Sequence, residues 1–182
     1  MNLRTTFSAP WGRAVRWATA LTIGLFPAVI IILGSVALET ARISPGIFWA
    51  TASFLLLLLI GAALFAVRGF RIKAGRLEIL RPGWTLPISL DDLRTLEADP
   101  EAMKGVLATA GNSGFMGCIG WFWSRRFGAF RAWVTDSSRC VRLTFPTRVI
   151  VVSPDDPVAF VAAVKHQKGW NRSNATLHLH AG

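Results

Sequence analysis

The sequence predicts an α+β protein in which an N-terminal helical hairpin of membrane-spanning character precedes an antiparallel β domain closed by one C-terminal helix. Three observations carry this. Two apolar runs, Ala18 to Leu38 and Ile47 to Val67, contain no charged residue, and each reaches the roughly 20 residues that cross a bilayer core. From Phe70 onward the hydrophobic pattern changes to alternation, the mark of half-buried strands. Near the end, SPDDPVAFVAAVKHQ places acidic residues and a proline before an apolar stripe and a lysine after it, the layout of a capped amphipathic helix.

The apolar runs come first. A secretory signal has an apolar stretch of about 7 to 15 residues and is not trailed by a second run behind a segment as short as ETARISPG. A soluble core helix carries a polar stripe, whereas LLLLLIGAALFAV is apolar all round. Arg4, Arg13 and Arg16 precede the first run and Arg68, Arg71, Lys73, Arg76 and Arg81 follow the second, while the connecting segment offers only Arg42, offset by Glu39. Basic residues in short flanks stay on the cytoplasmic side. Both termini are therefore expected to be cytoplasmic, in a multi-pass protein of the cell inner (plasma) membrane. Trp11, Trp17 and Trp49 fall near the span ends, where an indole suits the headgroup layer. Neither span holds an ionisable residue, which argues against an ion path. Ala20, Gly24 and Ala28 form a small-residue ridge that suits packing on Ala62 and Ala66 or self-association.

The expected organisation is a basic N-terminus (1–17), the two-helix hairpin (18–67), one β domain (68–168) and a disordered tail (169–182). From Arg68 onward sixteen Lys and Arg face nine Asp and Glu, a net of +7. An anionic leaflet beside the domain explains such a surplus. A nucleic-acid partner is not expected, because no helix-turn-helix, zinc-finger or RNP pattern is present. The two cysteines, Cys118 and Cys140, form no CxxC or zinc spacing and read as packing residues with free thiols.

Within the β domain, Phe70 to Lys73 and Arg76 to Leu80 are short strands around an Ala74–Gly75 turn. WTLPISL alternates Trp84, Leu86, Ile88 and Leu90 on one face, and Pro87 confines that strand to an edge or a bulge. Asp91 and Asp92 turn the chain into a brief strand over Arg94 to Glu97. Asp99 to Arg126 is expected to be a long irregular connection because of its scattered glycines. Within it GNSGFMGCIG lacks the lysine and hydroxyl residue of a phosphate loop, and Phe115, Trp121 and Trp123 are expected to pack onto the sheet. GAFRAWVT and CVRLTF are alternating strands, and RVIVVS is a more fully buried one. Asp155 or Asp156 caps the closing helix, with Pro157 at its first position and Phe160, Val161 and Val164 on its buried face. This totals six or seven strands and one helix.

The segments SLDDLRTLEA, GFMGCIGWFWSRRFGAFRAWVTD, VRLTF and RVIVVSPDDPVAFVAAV resemble the bacterial pleckstrin-homology (PH) family found in small membrane proteins. A Gly-rich stretch leads to a G-x-F then aromatic-x-T strand, followed by a closing strand and an SP-x-x-P-x-x-F helix start. The resemblance covers Phe70 to Lys168 and departs at Trp133, where tyrosine is expected. It implies a PH-like antiparallel β-barrel or sandwich closed by the C-terminal helix. Eukaryotic relatives in fold often bind phosphoinositides through basic residues in the first hairpin loop, which Lys73 and Arg76 flank here. Fold alone does not carry function.

Lys73, Arg76, Arg125, Arg126 and Arg131 are thus the candidate contacts for anionic lipid or a partner. No catalytic, cofactor or metal site is expected: His178 and His180 make an HxH pair that nothing nearby completes, and Asn171 and Asn174 begin sequons in a segment expected to be cytoplasmic. The expected function is a non-catalytic, inner-membrane-anchored binding or scaffolding module that engages anionic lipid headgroups, a protein partner or a second copy as a homo-oligomer. The alternative is an accessory or regulatory subunit of a membrane enzyme or transport complex. The second span ends at Val67 and the first strand begins near Phe70, so the domain has no need of lipid affinity for targeting, which favours a partner-binding role.

Overall fold

A computed structural model describes residues 4–40 and 44–169. The expected tail, with its HxH pair and sequons, lies outside the described residues apart from Gly169. The chain begins with a short strand, β1 (Thr6–Ser8), and then forms helix α1 (Arg13–Thr40) and helix α2 (Pro45–Leu64). Strands β2 (Gly69–Lys73), β3 (Arg76–Arg81), β4 (Trp84–Ser89), β5 (Thr95–Ala98), β6 (Leu107–Gly114), β7 (Gly117–Ser124) and β8 (Gly128–Val134) follow. After a single 3₁₀ turn come β9 (Val141–Thr144), β10 (Val149–Val152) and helix α3 (Pro157–Gln167).

The two long helices have the length and composition of membrane spans. Ser44 caps α2 and Pro45 opens it, and no residue of α2 is buried, so its leucines face outward as they would toward lipid. The first turns of α1 belong to the β domain instead: Val15 and Thr19 are buried, and Thr19 Oγ1 accepts from the Met116 N–H at 2.8 Å. Beyond Thr19 the helix is exposed on most sides, and the remaining stretch, about 31 Å at 1.5 Å per residue, matches α2. Ala20, Gly24 and Ala28 are exposed, and a Cβ on Gly24 would meet nothing within 4 Å, so the small-residue ridge does not pack on α2.

The β domain is a sandwich of two sheets, ordered β1-β2-β3-β4 and β5-β9-β10-β8-β7-β6. Its first hairpin is as expected. Lys73 pairs with Arg76 across Ala74 and Gly75, both at positive φ, as a two-residue turn matched to strand twist requires. Pro87 lies on β4, which is an edge strand, because its missing N–H must face away from β3. All pairings are antiparallel except β8 with β10, which run parallel. That inner position explains the uninterrupted apolar VIVV: Ile150 and Val152 enter the core between the sheets, and Val151 enters a second cluster on the opposite face with Phe122, Phe130, Ala132 and Val134.

Two elements differ from the sequence reading. The segment Asp99 to Arg126 is not a long irregular connection, since most of it forms the eight-residue strands β6 and β7. Its glycines make the hairpin rather than break it. Gly111 and Gly120 face each other at φ +128 and +139, and a Cβ on either would lie 2.3 Å from a carbonyl oxygen of the opposite strand. Trp121 and Trp123, expected to pack on the sheet, remain 49% and 40% exposed.

The second difference is β1, which precedes both long helices yet pairs antiparallel with β2, Phe7 opposite Phe70. Ten strands therefore stand among the described residues where six or seven were expected. Phe7 is fully buried and meets Phe160 of α3 edge-on at 5.3 Å, with Phe70 on the same ring at 6.3 Å. Arg4 and Ser8 both bond the Asp155 carboxylate, at 2.6 and 2.8 Å. Asp156 caps α3 by accepting from the Ala159 N–H at 2.9 Å. At the far end of α3, Lys168 Nζ donates to the carbonyls of Asp91 and Leu93, closing the open end of the sandwich.

Candidate functional site

The geometry follows from where the helices enter. Because β2 leaves α2 at Gly69, its far end lies about 13 Å away at 3.3 Å per residue. Lys73 and Arg76 flank that distal turn, where the Gly75 N–H donates to Gln167 Oε1 at 3.4 Å. Strand β7 similarly starts beside α1 at the Met116–Thr19 contact and runs away for its eight residues before the turn that carries Arg125 and Arg126. Both predicted basic turns thus point away from the helical hairpin.

The individual side chains divide further. Arg126 is committed to Asp99, with Nη1 to Oδ1 at 3.3 Å and Nη2 to Oδ2 at 3.2 Å. Arg142 shares the same carboxylate and also bonds Glu97, so Asp99 is a buried structural anchor. Arg125 is exposed in the adjoining turn. Arg131 stands mid-strand on β8, its guanidinium 4.7 Å from the Trp133 ring and 5.5 Å from that of Trp121. The five predicted residues therefore occupy three places: a distal turn of each sheet and, for Arg131, the face of the larger sheet.

Arg131 lines a groove of about 330 Å³ along the β4 edge, with Leu86 to Ser89 on one wall and Trp121, Trp133 and Arg148 to Ile150 on the other. At the end of the sandwich nearest the helices is a cluster that sequence reasoning missed. Arg81 is only 8% exposed, and its guanidinium lies 4.4 Å from the Trp84 ring and 5.3 Å from Phe65, the residue that ends α2. Trp84 Nε1 donates to the carbonyl of Leu64 at 3.3 Å, tying the β3–β4 turn to the last turn of α2. Burial, and then the nearby charge of Arg131, hold Arg81 below its ordinary value. The signal was present in RLEILR: Arg81 alternates with Leu77 and Ile79 and so had to point inward.

Both thiols are also shifted, that of the buried Cys140 and that of the half-buried Cys118. Burial, with the charges of Asp136 and Asp99 and the Cys118 thiol adding to it, pushes Cys140 up to about 12. Burial also raises Cys118, against hydrogen bonds with Ser113 and Gly114. Among the described residues no three His, Cys, Asp or Glu side chains converge on a metal-sized space.

Two sheets in a sandwich, a terminal helix seated on Phe7 and Phe70, and open basic turns define a recognisable architecture. A family profile for bacterial PH domains matches residues 68–168, more than half of the chain. The chain belongs to the bacterial PH domain family. No curated protein and no solved structure matches it. A PH domain is in general a non-catalytic module that binds lipids or proteins, and this one follows two apolar helices directly. The matched span omits β1, although the first sheet of the PH domain is completed by that strand.

Proposed function

We propose that this chain is a non-catalytic binding module whose two helices hold a PH domain against the cytoplasmic face of a cell's inner membrane. The observation that carries the reading is the β1–β2 ladder. A strand before α1 and a strand after α2 belong to one sheet, so the two ends of the helical hairpin must lie on the same side of any bilayer it crosses. The arginines flanking the hairpin favour the cytoplasm as that side. A reporter fused after Gly182 that works only outside the cytoplasm is expected to stay silent, and an active reporter would refute the orientation.

A second reading, as an accessory or regulatory subunit of a larger membrane complex, is favoured by β6. This eight-residue strand is the outer edge of its sheet, largely exposed, and LATAGNSG holds neither proline nor charge. Such an edge is open to strand addition. Gentle detergent extraction from the native membrane is expected to recover a stoichiometric partner if this reading holds, and Thr109→Lys on the edge to release it. Recovery of the free chain alone would count against it.

A further inference from the structure

The two sheets differ in width. The first has four strands and the second six, and β4 is an outer edge of the first, so β7 and β6 run on past it. On β7, Ile119 packs against the core between the sheets, and Trp121 and Trp123 share its face at two-residue spacing. That face is core near β4 and open beyond it: Trp121 and Trp123 are half exposed, and Leu107, which pairs with Trp123, is 63% exposed. Adjacent strands lie about 4.8 Å apart and stacked sheets about 10 Å. A fifth strand beside β4 would therefore lie over β7 and rest its inward side chains on the two indoles.

Pro87 fixes which backbone groups such a strand would meet. Its missing N–H faces away from β3, so the groups of β4 that face outward are those of Thr85 and Ser89, with the Pro87 carbonyl between them. No other part of the backbone bonds to them among the described residues. A proline on an edge deters indiscriminate pairing, which leaves selection to the side chains of the incoming strand.

The groove along β4 is selective by charge. Arg131 and Arg148 line it, and no Asp or Glu does. Arg131 rests on the rings of Trp121 and Trp133, and Arg148 lies 4.8 Å from the Phe145 ring, so each guanidinium is held by its face with its N–H edge left for a carboxylate. Trp133 on the groove floor is 2% exposed, and its Nε1–H has no acceptor among the described residues. The outer strands of the two sheets supply no free acid to a second copy: β1, β4 and β6 hold none, and Glu97 of β5 is bonded by Arg142. Residues 169–182 hold none either.

We propose that β4 receives an extended acidic segment of a partner protein as a fifth strand of the first sheet, its inward side chains apolar over Trp121 and Trp123 and acidic at Arg131. Main-chain bonds give such a contact its affinity and the side-chain positions its selectivity. This inference deepens the reading of the chain as a binding module and rests on it.

The test selects random phage-displayed peptides on the full chain in mild detergent and titrates synthetic copies of the selected peptides by fluorescence anisotropy. Selected sequences are expected to carry Asp or Glu among alternating apolar residues. Methylating one peptide amide at a time is expected to abolish binding at alternate positions only, because alternate N–H groups face β4. Arg131→Gln, at an exposed position, is expected to weaken binding about tenfold, the loss that follows from one charge-assisted bond. Thr85→Pro, which removes an outward donor and spares the ladder with β3, is expected to weaken it as well. Arg94→Gln, the same charge change at an exposed position beside β5, is expected to bind as the parent does. Basic or unpatterned sequences, methylation tolerated at every amide, or undiminished binding by Arg131→Gln would overturn the proposal. Equally tight binding of peptides copied from β4 or β6 would overturn it in favour of a second copy. A native partner that stays bound to both Arg131→Gln and Thr85→Pro would overturn this site and leave the binding-module reading standing, whereas the absence of both a native partner and any selected peptide would overturn the two together.

Discussion

Replacing Phe7 by alanine tests whether the strand before the helices belongs to the domain. Phe7 is fully buried, sits edge-on to Phe160 at 5.3 Å and pairs with Phe70 on β2, so its removal opens the core where three elements meet. Truncating a buried phenylalanine costs about 3–5 kcal/mol in transfer and cavity terms. For a domain of this size 1 kcal/mol moves the midpoint by roughly 4–8 °C, so a drop of more than about 10 °C is expected. The assay is thermal unfolding of the full chain in mild detergent, followed by circular dichroism in the β region. Val158→Ala, at a position 75% exposed on α3, is the control and is expected to move the midpoint little. Hydrogen exchange supplies an independent reading, because the Ile72 N–H donates to the carbonyl of Thr5 at 2.7 Å and is expected to lose protection when β1 is loosened. If Phe7→Ala unfolds with the control and Ile72 keeps its protection, the reasoning that seats β1 in the sheet is wrong.

Three further outcomes are expected. Gly120→Ala sets a Cβ 2.3 Å from the Ala110 carbonyl at a φ of +139, and is expected to cost more than about 3 kcal/mol by combining backbone strain with overpacking, against about 1 kcal/mol for Gly105→Ala, whose Cβ meets nothing within 4 Å; similar midpoints for the two would refute the close β6–β7 approach. Although burial acts to raise Asp155, hydrogen bonds from Arg4 and Ser8 and the Arg4 charge hold it below its ordinary value; its stabilisation is therefore present above the unfolded carboxylate value of about 3.9 and lost as pH falls through the folded value. Arg4 is half exposed, so Asp155→Asn is expected to cost under about 1 kcal/mol near neutrality and to flatten the acid limb of a pH–stability curve, and an unchanged limb would refute the assignment. With Cys140 pushed up to about 12, Cys118→Ser is expected to leave a protein that resists alkylation at neutral pH until denaturant is added, and rapid labelling of the native variant would contradict the burial of Cys140.

Local chemistry made much of this fold legible. The RIKAGRLEI hairpin, the edge position forced by Pro87 and the Asp156–Pro157 start of α3 each depend on residues a few positions apart, and each stands where the pattern put it. What depended on distant partners was not legible. Three residues before a long apolar run carry no period, so nothing local identifies Thr6–Ser8 as a strand, and its fit is decided by Phe70 and Phe160. Glycines spaced three apart read as breakers, because their value in β6 and β7 lies in the backbone of the opposite strand. The candidate site divided in the same way. Lys73, Arg76, Arg125 and Arg126 were chosen as loop charges, and the structure places their turns at the end remote from the helices. Arg131 lies on the groove beside β4, and Arg81 reads in sequence as one more basic flank although its alternation with Leu77 and Ile79 points inward.

The early placement of β1 also sets an order of assembly. Phe7 leaves the ribosome before either long helix, yet the strand it needs is made only after both, so the first sheet cannot close until both helices have been made. A chain that carried only one of the two helices across the bilayer would leave Phe7 and Phe70 on opposite sides, and the four-stranded sheet could not form. Domain closure is in this sense a parity check on insertion: a completed fold certifies an even number of crossings. By the same logic, a fragment begun at Arg68 would present an open β2 edge and an empty socket over Phe160, and supplying residues 4–9 as a separate peptide is the direct way to fill both.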